Sequence, residues 1–158
     1  MTAALCDPLA YATAPLLHDL QAVQTRIPQR HEMGLLHGIV HFDSGQSFAV
    51  GVHHAKATDF WVAGHIPGRP LMPGVVMVEI AAQLCAWVAS FAMPPDPGHF
   101  FGFAGIDGAR FRGQVVPGDT LLVAARVERQ RRTMATFATQ AWVRDELVFE
   151  GKIIGVMI

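Results

Sequence analysis

The chain has 158 residues, 51% of them in the apolar set AVILMFWYC and 16% charged. That balance excludes a disordered tail or a collagen-like repeat and predicts one domain over residues 1–158. Twelve basic against thirteen acidic side chains give a formal net charge of −1, which argues against a nucleic-acid binder that works by neutralising phosphates.

Residues 1–30 carry the least pattern and read as an N-terminal extension, with a short helix over 15–25 and a break at Pro28. The opening MTAALCDPLAYATAP has no basic residue and places Asp7 inside its apolar stretch, so it does not read as a secretory signal. Cys6 and Cys85 are the only cysteines, too few for a disulfide framework, and reduced thiols in the cytoplasm are expected. Residues 36–42 and 46–54 alternate around Asp43-Ser44-Gly45, the pattern of a hairpin. The loop GHIPGRPLMPG, 64–74, leads into a helix over 75–91 that is apolar on every face and must be enclosed by other elements. Glu79 and Gln83 near its middle would be costly in a bilayer, so it reads as a core helix and no membrane span is expected.

After MPPDPGH come four long strand-like runs, 100–111, 120–129, 134–144 and 147–157, which read as an antiparallel meander. The predicted architecture is α+β, one antiparallel sheet curled around one long buried helix. With glycine counted, about 60% of residues are apolar against a usual 45–50%. A domain this size cannot hide that much, so a face for a subunit partner, a long apolar ligand, or both is expected. Seven arginines lie between Arg110 and Arg144 against only Asp119 and Glu128. They read either as a landing patch for an acidic partner or as strand edges guarded by charge.

Two stretches, GHIPGRPLMPGVVMVEIAAQL at 64–84 and FAGIDGARFRGQVVPGDTL at 103–121, resemble the hot-dog-fold 3-hydroxyacyl-[acyl-carrier-protein] dehydratases of fatty-acid synthesis, over most of residues 27–158. The resemblance implies a hot-dog fold and loss of water from a 3-hydroxyacyl thioester to give a trans-2-enoyl thioester. That reaction needs a base for the C2 proton, an acid for the departing hydroxyl, and a dipole for the thioester oxygen. His65 and Glu79 supply the first two on this reading. Burial within the helix would help keep the carboxyl protonated. Gly74 opens the helix, where unpaired amides and the positive end of the dipole can receive an oxyanion. Gln83, one turn after Glu79, is positioned to orient it.

The resemblance also implies that His65 of one subunit works with Glu79 of the other, in a homodimer or a trimer of dimers, with the acyl tail in a tunnel along the interface. Val76, Phe101, Phe103, Ile106 and Phe111 are the candidate wall residues. Arg110, Arg112, Arg129, Arg131 and Arg132 are candidates to receive the acidic carrier. No metal or other cofactor is expected, because His18, His31, His37, His41, His53, His54 and His99 lack ligand spacing. Three departures stand out from the family pattern: the segment IPQRHEMGLLHGIVHFD at 27–43, Ile66 where Phe is usual, and Gly102 where an aromatic often gates the tunnel. Glu rather than Asp at position 79 favours plain dehydration over additional double-bond isomerisation. The alternatives are an acyl thioesterase of the same fold, in which Glu79 activates water, and a non-catalytic acyl-binding paralogue.

Overall fold

A computed structural model describes residues 3–158; Met1 and Thr2 of the predicted 1–158 unit lie outside the described residues. Seven strands form one antiparallel sheet: β1 (His18–Asp19), β2 (Gly38–Asp43), β3 (Phe48–His54), β4 (Phe101–Phe111), β5 (Thr120–Gln130), β6 (Met134–Val143) and β7 (Glu146–Met157). Among the described residues two α-helices accompany them, α1 (Leu20–Gln24) and α2 (Gly74–Ala92). At 1.5 Å per residue α2 runs about 28 Å across the concave face.

The strand order is β1-β2-β3-β5-β6-β7-β4, which corrects the four-strand meander expected from sequence. Of those four runs, only β5, β6 and β7 are successive neighbours. Helix α2 carries the chain across the sheet before β4 begins, so β4 pairs with β7 at the far edge and β3 takes the place beside β5. The helix expected over 15–25 also shrinks, to five residues. Asp19 caps it by accepting from the Ala22 amide at 2.9 Å, and His18–Asp19 instead pair with Ile39 and Gly38.

Strand alternation divides the apolar residues between two faces. Leu121, Val123 and Ala125 of β5, with Phe137, Ala141, Phe149 and Ile153, turn inward onto Ile80, Leu84, Trp87 and Val88 of α2. By length and apolarity α2 matches a membrane span, with a mean hydropathy of 1.8, yet 67% of that window is buried inside the protein. On the convex face Phe48, Val50, Val52, Leu122, Ala124 and Trp142 make a second cluster, against which Leu5, Cys6 and Tyr11 pack. The N-terminal segment is tied there by sheet side chains. Leu5 N–H donates to Gln140 Oε1 (2.7 Å), and Arg126 donates to the Leu5 carbonyl (3.0 Å).

Candidate active site

The loop before α2 is braced at both ends. The His65 amide donates to the Trp61 carbonyl (3.0 Å) and the Met72 amide to the Val115 carbonyl (2.9 Å), while Gly68 turns the chain at φ 80°. Within it, His65 Nδ1 lies 2.7 Å from the Leu71 carbonyl oxygen. A carbonyl oxygen only accepts, so Nδ1 carries the proton and, in the neutral ring, Nε2 is left bare and basic. The side chain is exposed, with Nε2 available to a reactant.

Glu79 is half-buried rather than deeply buried as the apolar helix suggested. It borders a cleft of about 30 Å³ shared with Gln29, Ala82, Cys85, Phe101 and Phe103. Gln83 is buried and every hydrogen-bonding atom of its amide is engaged. Its Oε1 accepts from the Leu35 and Leu36 amides (3.1 and 3.0 Å), and its Nε2 donates to the Met33 carbonyl (2.7 Å) and to Glu79 Oε1 (2.8 Å). Such an amide has no freedom to flip, so it fixes one carboxylate oxygen and leaves the other for chemistry.

At the start of α2, Pro73 provides no side-chain cap, and the first turn begins with the Val76 amide donating to the Pro73 carbonyl (2.9 Å). The amides of Gly74 and Val75 donate to no acceptor among the described residues. They are the unpaired donors of a helix start, at the positive end of its dipole. The Phe111 ring lies over Gly74 so closely that a Cβ there would sit 2.8 Å from it.

Among the expected wall residues, Phe101 and Phe103 border the Glu79 cleft, and Phe103 is 52% exposed. Phe111 closes on Gly74, and Ile106 packs toward the core. Val76 is itself a core residue at 6% exposure; the residue of that turn presented outward is Val75, at 72%. At Gly102 an added Cβ would fall 2.7 Å from Ile158, so the chain's C-terminal residue occupies the space an aromatic would need.

The arginines fall into two groups rather than one patch. Arg110 and Arg112 border a depression of about 510 Å³ on the convex face, where Arg112 Nε donates to Glu150 Oε1 (3.0 Å). Arg129, Arg131 and Arg132 lie at the β5–β6 turn. Strand register sets Arg110 opposite Glu150 and the Arg129 row opposite Ile154, about 13 Å apart along the strands at 3.3 Å per residue.

Within one chain His65 and Glu79 form neither a hydrogen bond nor an ion pair, and no described residue bridges them. The segment 33–36 that holds Gln83 was missed by sequence reasoning. Its contacts are made through backbone atoms 47 to 50 residues from Gln83, and backbone donors leave no mark in side-chain pattern.

A curled antiparallel sheet enclosing one long helix defines a hot-dog fold. Among solved structures a chain of the dehydratase heterocomplex ApeI:P from Xenorhabdus doucetiae superposes with a TM-score of 0.72, at 13% identity, over 86% of this chain and 90% of that one. A thioesterase superfamily member from Thermus thermophilus gives 0.58, at 16% identity, over 70% and 80%. These two likenesses concern the fold. The chain belongs to the FabA-like domain family, whose pattern matches residues 27–152. A 3-hydroxyacyl-[acyl-carrier-protein] dehydratase FabZ from Desulforamulus reducens is 40% identical over 136 residues, covering 86% of this chain and 94% of that protein.

Proposed function

We propose that this chain is a hydro-lyase that dehydrates 3-hydroxyacyl thioesters carried on acyl carrier protein to trans-2-enoyl thioesters in fatty-acid synthesis. The carrying observation is a histidine with its Nδ1 proton engaged by Leu71 and a carboxyl held by a saturated buried amide, in a chain 40% identical to a dehydratase. His65 Nε2 takes the C2 proton, and the C2 electrons form the C2–C3 double bond. Glu79, protonated at the start, gives its proton to the C3 hydroxyl, which leaves as water. The Gly74 and Val75 amides hold the thioester oxygen as charge gathers on it. Proton exchange with water then returns both groups to their starting states.

The pair is completed between two chains on this reading, His65 from one and Glu79 from its partner. Strand β4 is the long open edge beside the Glu79 cleft, and pairing of β4 with its copy would set Phe101 and Phe103 of both chains along the acyl tail. Arg110 and Arg112 neighbour Phe111 in the chain, though on the convex face, and are the arginines assigned to the acidic carrier. A cytoplasmic location is part of the same reading.

The test follows crotonyl-thioester hydration by absorbance, with mass analysis of the product. His65→Ala and Glu79→Gln should each lose about 10²–10⁴-fold. Mixed, they should regain part of the activity in heterodimers, which contain one intact pair. A free acid with released thiol would instead identify a thioesterase, and full activity in either variant would overturn the assignment of that residue.

A further inference from the structure

His53 faces inward from β3 and is 1% exposed. Its Nδ1 lies 2.8 Å from the Leu35 carbonyl oxygen, so Nδ1 carries the proton. That carbonyl belongs to the same peptide unit as the Leu36 amide, which donates to Gln83 Oε1 at 3.0 Å. One rigid, planar peptide is thus gripped on opposite sides by His53 and Gln83. From Gln83 the run continues through Nε2 to Glu79 Oε1 at 2.8 Å. Each bond polarises the next in a buried setting.

The imidazole is bordered on its other sides as well, with Nε2 making no hydrogen bond among the described residues. The His37 ring stacks on it at 4.6 Å and 19°, and His37 Nδ1 accepts the His54 amide at 2.9 Å. His53 Nε2 faces Asp59 Oδ2 at 3.6 Å, and Asp59 accepts the Lys56 amide at 3.0 Å. His37, His54 and Asp59 are the titratable groups set against it, and Lys56 neighbours them through Asp59 and His37. Burial holds His53 below the ordinary histidine range against the upward pull of Leu35 and Asp59, which keeps the ring neutral and the Nδ1–H form in place.

We propose that His53 is a positioning residue for the acid of the dehydration. Its Nδ1–H fixes the Leu35–Leu36 peptide, which fixes the Gln83 amide, which aims Glu79. The inference rests on the reading of Glu79 given above. His53 touches no reactant, so its loss should lower turnover and spare substrate affinity.

Two variants separate this role from packing. His53→Leu keeps bulk and removes the donor, whereas His53→Asn sets an amide N–H near the position of Nδ1–H. In His53→Leu kcat should fall about 10- to 100-fold, the scale set by misplacement of a catalytic group, with KM changed less than about threefold. The limb of the pH–rate profile that reports Glu79 should also move. His53→Asn should recover most of kcat, and His53→Leu placed on Glu79→Gln should cause no further loss, because a group acting through Glu79 has nothing left to aim.

Unchanged kcat and pH limb in His53→Leu, equal losses in the Leu and Asn variants, or full additivity with Glu79→Gln would each overturn the proposal. If His53→Leu does not fold, ¹⁵N-histidine spectra of the unaltered protein decide: the Nδ1–H form supports the role and the Nε2–H form overturns it. Failure of the underlying reading looks different, since Glu79→Gln alone would then retain the full rate.

Discussion

A base that must take a proton from carbon needs a bare nitrogen, and at His65, the base proposed above, the backbone leaves one by occupying the other nitrogen with the Leu71 carbonyl. The same logic, in reverse, makes His37 a source of acid sensitivity. Burial first, then the neighbouring His53, Lys56 and His54, lower it from an ordinary 6.5 to about 4, with Asp59 opposing. The unfolded chain therefore binds this proton at a higher pH than the folded one. Stability is complete above about pH 6.5 and is lost progressively as pH falls toward 4. Urea titrations at pH 7 and 4.5 should give a smaller difference in His37→Asn, which retains an acceptor for the His54 amide; an equal difference would place the sensitivity elsewhere. His65, Glu79 and Gln83 were legible as a local motif, two of them four residues apart on one helix. His37 and His53 were passed over as histidines without ligand spacing, because their stack depends on the pairing of β2 with β3 and on the approach of 33–36 to α2.

Among the elements, the limits of β2 to β7 were readable to within a residue or two, since alternation follows from which face is buried, whereas the two-residue β1 was hidden inside an expected helix. Strand order was not, because a local pattern is silent about neighbours. The cost of missing it is specific. Only the β4–β7 pairing brings Phe101 onto Gly155, where an added Cβ would lie 2.0 Å from the ring. Phe101 also borders the Glu79 cleft, so this glycine links sheet packing to the site. Gly155→Ala should cost about 1–3 kcal/mol, as overpacking does, and should change the relative rates on four-carbon and longer thioesters. Phe101→Leu in the Gly155→Ala background should recover part of the stability by relieving the overlap. A stable variant with unchanged chain-length preference would show that the ring moves aside freely. The N-terminal segment was the least legible element for a related reason: its anchor, Gln140, is an amide on a distant strand, and apolar alternation could not reveal that Leu5, Cys6 and Tyr11 cover the convex face.

At the scale of the whole molecule, the apolar surplus in the composition is divided unequally. The convex face is covered by the chain's own N-terminal segment, whereas Val75, Phe103 and Phe111 remain outward near the start of α2 and along β4. The sheet's two edges differ in the same sense. β1 contributes only two residues, but β4 offers eleven with one side unpaired. A long apolar edge is a pairing surface unless something blocks it, and on the function proposed above it is where a second chain would dock. Ala104→Lys places a charge on that edge at an exposed position outside the lining of the Glu79 cleft. It should convert a dimer to monomers by light scattering and lower hydration activity at least about tenfold, because a single acid–base group is worth about 10²–10⁴ and a monomer would lack one. Raising protein concentration should restore activity in step with the dimer fraction. A fully active monomer would mean that each chain completes its own site, and a fully active dimer would move the contact away from β4.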